Sequence, residues 1–323
     1  MAVLSYVIRR LGWAVLTMFA ASVIVFAAVK ATTDPAASLR GPGIRAEDVQ
    51  RFRDDLGLDK GNVEQYTTWM GNFLTGDLGE SLKTRRPVWP DLRTAIWNTV
   101  QLGVVAFAIT VVFGVLIGTI SAVKQYSWFD NAATGASFIG LSIPTFLFGL
   151  LLQIVLVLKF QDWFGGTPFY TSRMNSPGES GFGIDRLRHL VLPALTVAVQ
   201  GIAVYSRYMR ASMLEVLNSD YLRTARAKGV SERRVIVRHA MRNALIPLTT
   251  FAAIDVGAIL AGLVVTEQVF EWPGMARYFL VALQDGDYVR VLPWLMIVVF
   301  AVIIFNLIAD LLYGVLDPRI RVG

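Results

Sequence analysis

Thr94–Val123 reads TAIWNTVQLGVVAFAITVVFGVLIGTISAV, 30 residues between Arg93 and Lys124 without one charged side chain. A helix needs about 20 predominantly apolar residues to cross the ~30 Å hydrocarbon layer of a bilayer. At that depth every backbone polar group must be satisfied within the segment, which an α-helix does. Working outward, Leu11–Val29 gives 19 uncharged residues, Asn131–Leu158 28, Leu190–Ser206 17 and Val291–Ala309 19, while Asn243–Thr266 is interrupted once, by Asp255. This gives six spans. The fold class is all-α, a polytopic transmembrane helical bundle. Charged residues are 17% of the 323, below the roughly 25% of soluble domains, and the deficit sits in these blocks.

Arg9 and Arg10 precede Leu11–Val29. That run exceeds the ~7–15 apolar residues of a cleavable signal and lacks a small-x-small site after it, so it reads as a signal anchor. The chain has no Cys, which excludes disulfides and thiolate metal sites.

Charge gives the orientation. Arg207 to Arg242 holds nine Lys/Arg against three Asp/Glu, an excess equal to the formal net charge of +6. With Arg9 and Arg10 at one end and Arg319 and Arg321 at the other, the basic short segments place both termini in the cytoplasm. The 31–93 loop carries ten Asp/Glu to match its cations and is too long to obey the rule. A pI near 9.6 arising from one loop beside membrane spans points to no nucleic acid and to contact with membrane lipid.

The expected organisation begins with a cytoplasmic N-terminus and first span (1–30) and an external loop with short helices (31–93). Spans two and three (94–158), a second external loop (159–188) and span four (189–206) come next. A cytoplasmic loop (207–242), span five (243–266), a third external loop (267–290) and span six with the tail (291–323) complete it. In the first loop Ala46–Leu56 predicts a charged helix, and Val63–Leu74 an amphipathic one with Tyr66, Trp69, Met70 and Phe73. The loop 159–188, rich in Gly, Pro, Ser and aromatics, predicts irregular structure. Gly114-x-x-x-Gly118 and Ala258-x-x-x-Gly262 put small residues one turn apart for close helix packing. Pro144 and Pro193 each remove a backbone hydrogen bond and are expected to kink or open their spans.

The basic loop predicts two short helices. Ser219 or Asp220 caps one that runs from Tyr221 and stops at Gly229; Ser231 caps the next, with Glu232 in its first turn. Arg234, Arg238 and Arg242 recur at i, i+4, opposite Ile236 and Ala240. Such a protrusion can convey motion from a soluble partner to two spans; the alternative is a basic segment resting on anionic headgroups.

Here the sequence resembles the integral-membrane subunits of ABC importers. Their cytoplasmic loop carries three residues, often Glu-Ala-Ala, then Gly three residues later and an Ile/Leu-Pro further on. This chain has Arg223-Thr224-Ala225, Gly229 and Ile246-Pro247. Arg223 in place of the glutamate is similar to the dipeptide/oligopeptide permease branch. Further likeness lies in Leu56–Leu82, Gly140–Leu152, His189–Ala198, Thr266–Phe279 and Ala309–Arg321. The long loop after span one looks like the first of the two permease subunits of such systems. The resemblance implies a type I importer permease fold in the bacterial cytoplasmic (inner) membrane. It implies a homologous second permease, two ABC ATPase subunits and an external substrate-binding protein as partners. ATP and Mg would sit on the ATPases, with no cofactor on this chain. It also implies that Ala227, Lys228, Gly229, Val230, Ser231, Glu232 and Arg233, with Arg223, Thr224 and Ala225, couple to an ATPase while the permeases alternate access for di- or oligopeptides. A relative carrying nickel, glutathione or another small solute is the runner-up.

No catalytic set is visible. There is no Gly-Lys dipeptide for a P-loop, and His189 and His239 form no zinc motif. A secondary transporter would need several intramembrane ionisable groups and repeats, and only Asp255 lies mid-span. An acid there costs roughly 2.5–3.5 kcal/mol, so it either lines the translocation path or bonds the partner permease. Asp310 is expected to pair near Arg319 and Arg321, and Glu267 and Glu271 to sit in water.

Overall fold

The computed structural model describes residues 2–32, 50, 53–54, 57, 59–260 and 263–316, and among them the regular secondary structure is all helical apart from one isolated bridge, Glu80 to Pro87. The order is α1 (Ala2–Thr32), α2 (Asn62–Thr75), α3 (Val88–Val123), α4 (Trp128–Ser142) and α5 (Thr145–Gln153), continued by a π segment (Ile154–Lys159) into α6 (Phe160–Phe164). Next come α7 (Ile184–Leu217), α8 (Asp220–Ala227), α9 (Glu232–Arg234), a second π segment (Val235–Ala240) and α10 (Met241–Leu260). The described chain closes with α11 (Val264–Val269), α12 (Met275–Gln284) and α13 (Tyr288–Leu316).

Among the described residues, five stretches are long and apolar enough to cross a membrane: Val7–Thr32, Val88–Val123, Thr145–Phe164, Ile184–Leu217 and Tyr288–Leu311. Their outer surfaces expose Trp13, Ile24, Val104 and Phe113, as a lipid-facing surface should. α10 carries the expected fifth span; some of its side chains lie outside the described residues, and it is not counted among these five.

The packing defines two faces. α3 and α7 run parallel, with Leu102 and Ala106 against Leu190 and Ala194 near one end. Towards the other end Gly114 meets Tyr205, and Gly118 meets Ser206 and Met209. A Cβ at Gly118 would lie 2.5 Å from the Ser206 carbonyl oxygen, so the glycine pair is what lets these backbones touch. Trp294 of α13 packs with Val88 and Leu92 at the start of α3. α1 runs against α13, with Val29 beside Val291 and Leu292 and Arg10 bonded to Asp310 at 2.9 Å. One face, termed inner, therefore gathers the start of α1, the ends of α3, α7 and α13, and the 218–240 segment. The opposite, outer face holds the starts of α3, α7 and α13 with α11 and α12. Asp310 thus pairs with Arg10 across the bundle; Arg319 and Arg321 lie outside the described residues.

α2 is the predicted amphipathic helix. It starts beside Lys30, whose ammonium donates to Asn62 and Gln65. It then lays Tyr66 and Trp69 on Phe26, with the Tyr66 hydroxyl 2.7 Å from Ser22 Oγ. Of the helix predicted over 46–56 only residues 50, 53 and 54 are described, and these are helical; the Gly262 half of the second small-residue pair falls outside the described residues. Of the loop expected to be irregular over 159–188, residues 165–183 are irregular, while 159–164 and 184–188 belong to the flanking helices.

The two prolines behave differently. Span three is broken at Pro144: Ile143 is extended (ψ 123°), because a residue before proline is pushed out of the helical region. Gln200 of α7 fills the gap, donating to the Ile143 carbonyl and accepting from Thr145 Oγ1. Span three is thus two helices, opened at Pro144 as expected. Pro193 lies inside a continuous α7, so the expected opening there does not occur.

Candidate coupling surface

Between α7 and α10 the chain makes one tight turn. α8 ends in Ala227 and Lys228, and Gly229 has φ +75°, a left-handed conformation that costs glycine nothing. Its N–H bonds the Arg226 carbonyl and the Val230 N–H bonds the Ala225 carbonyl, the two links of a Schellman stop. Ala225 and Val230, half-buried, pack on the inner core beneath. Leu222 is fully buried there and anchors α8. Arg223, Thr224, Ala227, Lys228, Gly229, Ser231, Glu232 and Arg233 are exposed.

Across this turn the Arg226 guanidinium grips the Glu232 carboxylate with both oxygens, at 3.1 and 2.9 Å. The guanidinium holds the Glu232 carboxyl below its ordinary value. Ser219 and Ser231 sit at the helix starts as predicted, but neither side chain caps; Ser219 Oγ donates back to the Val216 carbonyl.

The second helix is not short. α9, the π segment and α10 form one continuous helix, so the turn is joined rigidly to α10. Buried positions run Val235, Ala240, Ala244, Leu248, a step of five and then steps of four. The wider π turn inserts that extra residue, and no charge pattern announces it.

Two polar sites outside this loop escaped the sequence reading. Asp130, at the start of α4, is buried and accepts two hydrogen bonds from Arg210 of α7, at 2.7 and 2.8 Å, and a third from the Tyr126 N–H. The Arg210 guanidinium holds the Asp130 carboxyl below its usual range despite burial. A charge one residue outside an apolar run reads as a boundary, and its partner is 80 residues away.

The second site corrects an expectation. Glu267 does not sit in water; it is fully buried. Its Oε1 accepts from Thr99 Oγ1 of α3 at 2.6 Å, and its Oε2 from the Ala276 and Arg277 N–H groups at 2.9 and 3.1 Å. The reason is the α12 N-terminus: its cap, Gly274, has no side chain to satisfy the first N–H groups. The Glu267 carboxylate takes that place, and Thr99 Oγ1 accepts from Met275. A Cβ at Gly274 would collide with the Glu267 carboxylate. Trp272 Nε1 donates to the Asn98 carbonyl, fixing the fold-back onto α3. Burial pushes the Glu267 carboxyl up while its donors oppose the shift. Glu271 is exposed as expected.

Asp255 is half-buried beside Tyr205 of α7, whose buried hydroxyl faces it short of hydrogen-bond geometry. At 100° per residue Asp255 shares the α10 side of Ala244 and Leu248, the packed side. Its neighbour is thus within this chain.

Residues 114–322 match the family described as binding-protein-dependent transport system inner membrane component, and residues 3–103 match its N-terminal companion. The chain belongs to this family. It is an inner-membrane permease of the ABC importer class, whose members work with ATPase and binding-protein partners. The permease is 38% identical to the dipeptide transport system permease protein DppB of Escherichia coli K12, over 98% of this chain and 99% of that protein. With the same coverage it is 37% identical to the oligopeptide permease AppB of Bacillus subtilis and 35% identical to the glutathione permease GsiC of Escherichia coli. An inward-facing structure of the MetNI methionine ABC transporter superposes with a TM-score of 0.51 at 16% identity, covering 70% of the permease and 96% of that chain. That likeness establishes the fold.

Proposed function

We propose that this chain forms half of the translocation pathway for di- and oligopeptides, beside a homologous second permease and above two ATPases that hold ATP and Mg. The carrying observation is similarity along essentially the whole chain to a dipeptide and an oligopeptide permease. Glutathione, carried by a third relative, is itself a tripeptide and belongs to the same substrate class.

The mechanism rests on the joints. Arg223 to Arg233 present an exposed, largely cationic knuckle, braced by the Arg226–Glu232 pair and the Gly229 stop. α8 comes two residues after α7, and α9 runs into α10 without a break. A push on the knuckle as the ATPases close is therefore delivered to both membrane helices, and the permease subunits swing between outward and inward access. Two features support this face as the cytoplasmic one: its basic charge, and the start of α1 beside the end of α13. Asp255 is proposed as a polar element of the pathway wall where α10 meets α7. Asp255→Asn should then alter uptake by peptide charge class; uptake unchanged for every class removes it from the path.

The absence of native cysteine makes the topology test clean. An impermeant thiol reagent should reach Arg233→Cys only from the cytoplasmic side, and labelling from outside intact cells would end the proposal. Purified alone, the chain should hydrolyse no ATP; assembled with its ATPases, it should import peptide only while ATP is consumed.

A further inference from the structure

Next to the knuckle, on the same face, lies a cavity of about 620 Å³ between the start of α8 and the first turns of α10. Tyr221, Arg238, His239, Arg242 and Asn243 form its polar wall, and Leu245 and Ile246 its apolar part. Three arginines of this face have acids: Arg210 holds Asp130, Arg226 holds Glu232 and Arg223 lies near Asp220. Among the described residues no hydrogen bond or ion pair ties Arg238, His239 or Arg242 to any acid. Asn243 donates to the Tyr221 hydroxyl at 2.7 Å, which fixes the wall opposite them.

The π segment makes this arrangement. From buried Val235, ordinary helical spacing would bury position 239; the wider turn buries Ala240 instead and leaves His239 to the cavity. Arg238 and Arg242 then stand on the same wall. Cations rim the opening, while the apolar part runs along α10 past Ile246 toward Thr249, away from the loop.

We propose that this cavity binds an anionic phospholipid of the inner leaflet. Arg238 and Arg242 take the phosphate oxygens, since guanidinium groups suit phosphate geometry, and an acyl chain lies along Leu245 and Ile246. A soluble partner would meet the cationic rim but not the apolar wall. A basic pocket where a membrane helix emerges is the setting in which such headgroups are held. The site rests on the cytoplasmic assignment of this face, which the thiol labelling at position 233 tests separately.

The test is native mass spectrometry of the assembled transporter, titrated with phosphatidylglycerol or phosphatidylcholine. One phosphatidylglycerol should be retained in preference to phosphatidylcholine, and Arg238→Gln/Arg242→Gln should weaken it about 25-fold, two surface cations' worth. Arg238→Lys/Arg242→Lys should keep most of the affinity, Ile246→Glu should lose it, and Arg223→Gln/Arg233→Gln on the knuckle should leave it unchanged. The Lys pair and Ile246→Glu decide the matter if the Gln pair does not fold. Equal retention of both lipids, or unchanged binding in Arg238→Gln/Arg242→Gln, overturns the proposal. Displacement by inorganic phosphate alone would make this a small-anion site, and cross-linking of position 246 to the second permease would make it a protein contact; either result also overturns it.

Discussion

Asp130 and Arg210 join α4 to α7 through a two-oxygen ion pair, with the carboxylate side chain 2% exposed and the guanidinium 27%. Asp130 also accepts the Tyr126 N–H, so one acid fixes the α3–α4 turn against the inner end of α7. Removing it strands a partly buried cation. Asp130→Ala should cost about 3 kcal/mol, the low end for a broken buried pair because Arg210 keeps some water. Arg210→Lys should recover only part of the interaction, since the fork is lost. The depressed carboxyl contributes fully above its ordinary value of 3.8 and loses its contribution as pH falls below that. Thermal unfolding of the purified chain at neutral and acid pH checks both statements.

Gly118 makes a sharper demand. An added Cβ would sit 2.5 Å from the Ser206 carbonyl oxygen and 2.7 Å from Met209 Cβ, backbone and near-backbone atoms that cannot swing aside. Gly118→Ala should lower stability by about 1–3 kcal/mol, the usual range for overpacking. Gly135 has open space around its Cβ position, so Gly135→Ala serves as the control. Equal melting temperatures for the two variants would contradict the α3–α7 seam.

These residues also show what the sequence makes legible. The spans stand out because charge avoids hydrocarbon, and the α3–α7 seam because Gly114 and Gly118 are one turn apart. The Gly229 stop stands out because glycine punctuates a helical pattern. Asp130 and Glu267 are invisible for a common reason: each is defined by a partner far along the chain, Arg210 or Thr99, and an acid beside an apolar run looks like a water-facing end. Pro144 and Pro193 are indistinguishable locally. What separates them is Gln200, placed by the fold to satisfy the break at Ile143. The π segment leaves no mark in charge spacing, since Arg234, Arg238 and Arg242 keep their i, i+4 rhythm while the buried side shifts by one.

Glu267 predicts a pH signature at the outer face. Its carboxyl is raised above 4.5 by burial, so its contribution to stability is complete below that value and is lost as pH climbs through the raised one. Glu267→Gln resembles the protonated acid, keeping an oxygen for the Ala276 and Arg277 N–H groups. It should fold with a flatter dependence of melting temperature on pH than the parent. Glu267→Ala and Gly274→Ala should both destabilise at every pH, the first by uncapping α12 and the second by collision. Parallel pH profiles for the parent and Glu267→Gln would show that the carboxylate does not titrate with folding.

Arg226 and Glu232 separate a structural brace from a coupling part. Both are well exposed, at 38% and 57%, and exposed pairs contribute only about 0.2–1 kcal/mol, so breaking the pair should scarcely move the melting temperature. Its effect should instead fall on the stiffness of the turn. In the assembled transporter Arg226→Glu should lower peptide-dependent ATP hydrolysis, and Arg226→Glu/Glu232→Arg should restore a large part of it by rebuilding the link with the ends exchanged. Gly229→Ala has space for its methyl group but must adopt φ +75°, at a cost of roughly 1–2 kcal/mol, and should behave like the broken pair. If the charge-exchanged variant stays as uncoupled as Arg226→Glu, the arginine touches the ATPase directly, and the brace across Gly229 is not what transmits the stroke.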